Sequence, residues 1–526
     1  MSFMPHSEPY KKRKLPLGSV QTFSCVIEDY DVYIDKTAII LEMISNYKVV
    51  FLSRPRRFGK SLTCSTLGSI FKNERTLFKG LAIDESGWEW KEYPVIHLDL
   101  GSGNYNNGVE ILKENLDRQL ESYARKYGIV RKEGSISTKF SSLIEDLYEA
   151  KGKVAVIIDE YDNPLLSTID KPDINESLRD ELRGFYSVLK GSDQFLKFTF
   201  ITGVTKFSQV SMFSGMNQPT DISMMPEFAD LCGITQEELE RYFDYEIEQI
   251  SKDNRDTYLS KLRDYYNGYR FSKKELTVYN PVGLMLHFNS GGEFFPYWNQ
   301  TGTPSFVLKY LENHDLDFME IEDKELAADG FGDYRDNTLT LIPILYQAGY
   351  LTITGYDPEI ETYTLNYPNT EVRSTFAKFI SHSFTGVTQT ILQSKSIELL
   401  KALRSGDVEA FFKGLIPYLS RVDYSLASKI TEYYFEFAVS NIINMIGFPC
   451  FNEVHTANGR MDSVIFAGDY IYIIEFKVNK PVEDAIAQFV KKDYASVYAD
   501  SGKKIVKLAA IFDREKRNIE KWESVR

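Results

Sequence analysis

This sequence predicts an α/β chain of more than one domain, with a parallel sheet in its N-terminal part and a second α/β unit at its C-terminus. Three observations predict it. A short apolar run, Lys48 to Ser53, leads directly through a turn into Gly59-Lys60-Ser61 and a segment with helical spacing. A continuous hydrophobic run, Val154 to Ile158, ends in Asp159 and Glu160, as expected of a strand covered on both faces in a parallel sheet. Near the C-terminus, residues 459 to 480 read GRMDSVIFAGDYIYIIEFKVNK, two apolar runs flanking a Gly-Asp pair of the kind that closes a tight hairpin.

The 526 residues allow about three or four domains of ordinary size. A hydrophobic content of 43% with 26% charged residues is that of a folded rather than a disordered chain. Lys11, Lys12, Arg13 and Lys14 have no apolar core behind them, so the N-terminus does not read as a secretory signal and the expected compartment is the cytoplasm. The longest uncharged run, Asn337 to Tyr356, contains Pro343, Gly349 and Gly355 and passes into an alternating segment. It reads as part of a hairpin and not as a membrane span. Cys25, Cys64, Cys232 and Cys450 have no paired spacing and share no ligand pattern with the histidines, so neither disulfides nor zinc is expected. A net charge of -14 argues against general coating of nucleic acid while leaving room for a local basic groove.

In LSRPRRFGKSLT, residues 52 to 63, Leu62, Leu67, Ile70 and Phe71 follow the loop at helical spacing. Gly59-Lys60-Ser61 therefore lies at a strand-to-helix junction. Unpaired amides and the positive end of the helix dipole favour phosphate there; Lys60 adds a charge, and Ser61 an oxygen for Mg2+. The expected nucleotide contacts are Arg57, Phe58, Gly59, Lys60, Ser61 and Leu62. Arg54 stands where such loops usually have glycine. If the position needs a left-handed backbone, the cost is roughly 1–2 kcal/mol, which charge-assisted phosphate contacts of about 1.5–3 kcal/mol each offset.

Asp159, at the end of its strand, is placed to hold Mg2+, and Glu160 to polarise the water that attacks a γ-phosphate. Further strands are expected in YPVIHLDL (93 to 100) and FLKFTFITGVTK (195 to 206). The second ends in Thr202, Thr205 and Lys206, candidate sensors of the γ-phosphate.

VYIDKT (32 to 37), RPRRFGKS (54 to 61), IIDEYD (157 to 162) and TGVTKFS (202 to 208) together resemble the AAA-ATPase-like family of bacterial proteins, whose phosphate loop itself reads Arg-Pro-Arg-Arg-Phe-Gly-Lys. Later blocks, including YNGYRF (266 to 271) and LYQAGYLT (345 to 352), extend the resemblance to about residue 380. It implies an ASCE-type P-loop parallel sheet with ATP as ligand. The amphipathic segment TQEELERYFDYEIEQIS (235 to 251), with Leu239, Phe243 and Ile247 at fours, reads as part of a helical lid. Residues 301 to 380 read as a winged helix, with Arg270 and Arg373 as weaker candidates for an arginine that reaches the phosphates.

If Gly468-Asp469 is the two-residue turn, Ala467 pairs with Tyr470, Phe466 with Ile471, and so on until Asp462 opposes Glu475. Directly opposed side chains have Cβ atoms about 4.5–5.5 Å apart, a separation at which bare carboxylates repel and one divalent cation bridges them. Lys477 shares a face with Glu475, where an ammonium can steady charge on a phosphate. Asp, then Glu-x-Lys across a hairpin, resembles the PD-(D/E)XK nuclease superfamily. The segments 431 to 447 and 485 to 498 match its flanking helices, and Gln488 and Tyr494 match the Gln-x5-Tyr signature of one subgroup. Met461 replaces the name-giving proline, Tyr434 stands where relatives often have histidine, and Glu432 is a further acidic candidate.

The expected organisation is a P-loop core (1–225), helical lid (226–300), winged helix (301–380), helical connector (381–430) and a restriction-endonuclease-like α/β domain (431–526). The expected activity is ATP hydrolysis joined to Mg2+-dependent cleavage of nucleic acid, DNA before RNA, with no membrane partner and with oligomerisation left open. The alternative is an NTP-dependent regulatory switch whose C-terminal domain only binds nucleic acid or protein.

Overall fold

The structure is a computed structural model. It describes residues 12–18, 20–206, 219–252, 254–298, 307, 323–331, 341–385, 389–420, 439–440, 442–444, 446, 448, 450–456, 459–492, 494–516 and 518–525. The described chain divides into two compact units, one reaching Pro368 and the other beginning at Asn369.

In the first unit, strands β1 (Val49–Ser53), β2 (Val95–Asp99), β3 (Val154–Asp159), β4 (Leu196–Gly203) and β5 (Thr220–Asp221) form one sheet in the order β2-β3-β4-β1-β5. All four pairings are parallel. Every residue of β3 is buried, which is why its apolar run does not alternate. The helices Val109–Tyr127, Ile136–Lys151 and Pro172–Gly191 bury Leu116, Leu120, Phe140, Ile144, Phe185 and Leu189 in one core with Phe51, Ile96, Val156 and Ile158 of the sheet. β4 separates β1, which feeds the glycine-lysine loop, from β3, which ends in the paired acids. This is the ASCE arrangement, and it brings both motifs to the C-terminal edge of the sheet.

The amphipathic segment from 235 to 251 forms two helices, Gln236–Tyr242 and Asp244–Ser251, separated at Phe243. Thr235 and Glu238 form a reciprocal capping box at its start. Leu239, Phe243 and Ile247 are still buried together with Tyr279, Leu284 and Phe288, so the apolar spacing survives the break. Strands β6 (Ile234–Thr235) and β7 (Val278–Tyr279) pair antiparallel. Later in the unit, β8 (Lys324–Ala327), β9 (Thr352–Asp357) and β10 (Thr362–Asn366) make an antiparallel sheet in the order β8-β10-β9, following the helix Leu341–Ala348. The expected hairpin is there, with a third strand that its sequence does not announce.

The helix Thr370–Thr385 groups with the second unit, whereas the expected winged helix ran to residue 380. That unit is built on β11 (Cys450–Thr456), β12 (Gly459–Ala467), β13 (Tyr470–Val478), β14 (Lys504–Asp513) and β15 (Asn518–Val525), in sequential order. β13 and β14 pair parallel and the rest antiparallel. The crossover between them carries the helix Val482–Lys492. β13 is central, and both its faces are covered. Tyr472, Ile474 and Phe476 enter a core with Leu403, Phe412 and Leu415. Ile471 and Ile473 pack on the other side with Val464, Phe489 and Tyr494. Among the described residues, no helix is long and apolar enough to cross a membrane.

Candidate functional sites

The first site is a cavity of about 420 Å³ above the C-terminal edge of the parallel sheet. Arg57, Phe58, Gly59, Lys60, Ser61, Leu62 and Glu160 all line it. The helix Lys60–Phe71 starts there from Gly59, whose φ of 96° is left-handed, so glycine is required at that turn. Two other lining residues, Arg57 (φ 70°) and Glu160 (φ 50°), also hold left-handed backbone, a strain of the kind retained where a site needs it. Lys60 is buried and donates to the carbonyls of Arg54 and Pro55, at 2.9 and 3.0 Å. Burial lowers its pKa, while Glu160 and Asp159 act against that.

Asp159 lies just behind the cavity floor. Its Oδ1 accepts from the Glu160 amide at 2.9 Å, and its side chain is hydrogen-bonded to Ser61. Burial raises the pKa of both Asp159 and Glu160, against the attraction of Lys60. A β-carbon on Gly101 would stand 2.5 Å from Glu160 Oε2 and 2.9 Å from Asp99 Oδ1. The missing side chain is what makes room for Glu160 to point into the cavity.

Arg54 overturns the expectation of backbone strain: it is not among the residues of positive φ. Its guanidinium is buried and donates to Ser53 O (2.9 Å), Ser223 O (2.7 Å) and Phe228 O (3.0 Å). It also lies 4.2 Å over the Phe271 ring. It braces the loop from below, and the left-handed position falls three residues later, at Arg57.

The proposed γ-phosphate sensors also face elsewhere. Thr202 is fully buried and its hydroxyl donates to Leu52 O at 2.7 Å. The Thr205 hydroxyl and amide donate to Asp162 Oδ2, each at 2.6 Å, and Lys206 pairs with Asp221 at 2.9 Å. In a strand covered on both faces, apolar pattern cannot tell which side a threonine takes. Arg270 donates to the carbonyls of Ser272 and Lys273, and Arg373, in the second unit, to that of Cys450.

Sequence reasoning missed the other end of the cavity. Leu17, Val32 and Ile34 from the N-terminal segment and Leu231, Pro281 and Met285 from the segment beyond residue 230 form an apolar lining. Lys36 pairs with Glu238 at 2.5 Å, and Arg13 with Glu246, tying the N-terminal segment to the helices Gln236–Tyr242 and Asp244–Ser251. The apolar residues of VYIDKT were the available signal, but nothing in their spacing shows that they face a ligand.

In the second unit the hairpin register is as expected: Ala467 pairs with Tyr470 and Ser463 with Ile474 around Gly468, whose φ is 60°. The next step of that register opposes Asp462 and Glu475. Both acids are buried with Lys477, at 6%, 0% and 8% exposure. Lys477 Nζ lies 3.6 Å from Asp462 Oδ2 and 3.9 Å from Glu475 Oε2, and it donates to Phe476 O at 2.6 Å. Asp462 Oδ2 accepts from the Phe476 amide at 2.8 Å. Neither oxygen of Glu475 makes a well-formed hydrogen bond among the described residues, although the Asp462 amide and Lys477 favour its ionised form. Burial, and then the neighbouring Asp462, push its pKa up to about 9, with Lys477 offsetting part of this. A protonated Glu475 can donate to Asp462; an ionised one has only the Asp462 amide and the charge of Lys477 to offset its burial.

Tyr494 is fully buried on the same side of the hairpin, against Met461, Val464 and Phe489. The Gln488 amide donates to its hydroxyl at 3.4 Å. This pair fastens the crossover helix to the acid-bearing face. Glu432 and Tyr434 lie outside the described residues.

Comparison with known proteins identifies the family of each unit. The family described as predicted AAA-ATPase matches residues 16–213, and the PD-(D/E)XK nuclease superfamily matches residues 430–522. A protein of Azotobacter chroococcum mcd 1, described as an uncharacterized protein in the vnfD 5' region, is 32% identical over 527 residues, covering 97% of this chain and 98% of its own. The structure of the Aeropyrum pernix Orc1 protein in complex with DNA aligns over 91% of this chain and 98% of that one, with 9% identity and a TM-score of 0.25, too slight a likeness to carry an argument. With a phosphate loop beside a Walker B strand in one unit and Asp462, Glu475 and Lys477 gathered on one hairpin in the other, this chain belongs to the AAA-ATPase-like family and carries a C-terminal domain of the PD-(D/E)XK nuclease superfamily.

Proposed function

We propose that the protein binds and hydrolyses ATP in its first unit and cleaves phosphodiester bonds of nucleic acid in its second, in a Mg2+-dependent reaction, with DNA placed before RNA as substrate. One observation carries the nuclease half of this reading: Glu475, fully buried beside Asp462 and without a well-formed hydrogen bond among the described residues. An interior carboxylate in that condition is costly, and one divalent cation shared with Asp462 removes the cost. Asp462 and Glu475 would hold the ion, which when bound supplies Lewis-acid polarisation of the phosphate and a water of lowered pKa. Lys477, within 4 Å of both acids, steadies the charge that builds on the phosphate oxygens. Gln488 and Tyr494 hold the crossover helix against this face.

In the first unit, Lys60 and the amides from Gly59 to Leu62 receive the phosphates, with Arg57 and Phe58 shaping the loop. The apolar end of the cavity suits the base. Ser61 and Asp159 are the groups that would hold Mg2+ with ATP, and Glu160 orients the attacking water. The lid (226–300) and a winged helix built on Leu341–Ala348 and the β9–β10 hairpin complete the nucleotide-responsive part, in a protein we place in the cytoplasm. Thr202 has no part in this scheme.

The test is cleavage of single- and double-stranded DNA and RNA with and without ATP and Mg2+. Asp462→Asn and Lys477→Ala abolish cleavage while leaving ATP turnover intact, and Lys60→Ala abolishes ATP turnover. Cleavage by Asp462→Asn at the wild-type rate would overturn the site assignment.

A further inference from the structure

Behind the cavity floor the Walker B acid Asp159 meets two side chains, Cys64 and His97, that neither half of the proposed reaction uses. Cys64, on the phosphate-loop helix, His97, on β2, and Asp159, at the end of β3, each present one ligand atom, and the three atoms lie within 4.8 Å of one another. Cys64 is fully buried and Asp159 is 4% exposed. His97 Nε2 is enclosed and has no hydrogen-bond partner among the described residues. The strands are held in register at this point, with His97 opposite Ile157 and Asp99 opposite Asp159. Three different elements therefore supply a sulfur, an imidazole nitrogen and a carboxylate oxygen.

This donor set is the wrong one for Mg2+, which wants oxygen ligands, and suits a borderline metal such as Zn2+. Tetrahedral bonds of roughly 2.0–2.3 Å place ligand atoms about 3.3–3.8 Å apart, so side-chain rotation closes the remaining distance. Asp159 is also the Walker B acid bonded to Ser61, a residue of the cavity lining. The ATP cavity is thus the near side of the group.

We infer that Cys64, His97 and Asp159 form a site for a thiophilic divalent metal of the Zn2+ class, and that its occupation withdraws Asp159 from the Mg2+ that accompanies ATP. Binding forms a metal–thiolate bond and releases the Cys64 proton to solvent. Metal in this site and Mg–ATP in the cavity exclude each other. The inhibitory arm rests on the proposed ATPase; the metal-binding arm does not.

Co2+ titrated into the full chain without nucleotide is the probe, followed by the thiolate-to-cobalt charge-transfer absorption. The band is expected in the wild-type protein, is absent in Cys64→Ser, is weakened in His97→Gln, and is suppressed by prior addition of Mg–ATP. In parallel, Zn2+ inhibits ATP turnover, and either variant shifts half-inhibition upward by about tenfold or more, the least expected for loss of a group that serves a metal. No band in a folded wild-type protein overturns the site, and so does unchanged Zn2+ inhibition in His97→Gln, which keeps the test valid if Cys64→Ser does not fold. A band without any ATP turnover would instead overturn the ATPase reading and leave the metal site standing.

Discussion

Replacing Glu475 with glutamine should remove a proton that Mg2+ otherwise displaces. With its pKa pushed up to about 9, Glu475 is mostly protonated at neutral pH in the metal-free protein, and a metal-bound carboxylate must be ionised. Mg2+ binding to the second unit then releases about one proton. Its affinity rises close to tenfold for each pH unit below about 9, then levels off. The same shift sets the sign of the pH-dependent stability. The folded state holds a proton that the unfolded state, with an ordinary pKa of 4.5, has lost. Metal-free stability is therefore greatest below the unfolded value and declines as pH rises toward about 9, by ~1 kcal/mol per pH unit. Isothermal titration of Mg2+ without nucleotide, in two buffers of different ionisation enthalpy, counts the proton directly. Glu475→Gln keeps the side chain's shape and should show no such release. Wild-type binding with no proton released, or with equal release in Glu475→Gln, would refute the reasoning.

Two further outcomes follow from the first unit. Arg54→Gly, which restores the usual glycine, should destabilise the phosphate loop by ~3 kcal/mol, because it strands the carbonyls of Ser223 and Phe228 and leaves a cavity beneath the loop. Urea denaturation followed within the first unit checks this, and a stabilised variant that binds ATP more tightly would contradict it. Gly101→Ala drives a β-carbon to within 2.5 Å of Glu160 Oε2; it should lower the rate of ATP hydrolysis by about a hundredfold, the scale of an ångström's misplacement. ATP affinity should change little, so single-turnover kinetics and equilibrium binding together separate the effect from loss of the loop.

What could be read in advance was local. Gly468-Asp469 sets a two-residue turn, and the period-2 rule then gives the hairpin register, which the structure shows from Ala467–Tyr470 to Ser463–Ile474, one step short of Asp462 and Glu475. Val154 to Ile158 had one environment open to it, the middle of a sheet. What could not be read depended on partners far along the chain. Arg54 is satisfied by carbonyls about 170 residues away, and its unexceptional backbone shows only in three dimensions. The apolar end of the ATP cavity joins residues before 35 to residues beyond 230. Thr202 turned toward Leu52 because a strand buried on both faces has no polar side to reveal the direction. Cys64, His97 and Asp159 share no spacing that shows them meeting, because three separate elements carry them.

The central claim is that Asp462 and Glu475 together hold one divalent ion. Crystals of the protein grown with Mn2+ and measured at the manganese absorption edge test it most directly. The account predicts one anomalous peak between the two carboxylates, absent in crystals of Asp462→Asn. Occupancy elsewhere with nothing between Asp462 and Glu475, in a protein that still cleaves nucleic acid, would contradict it.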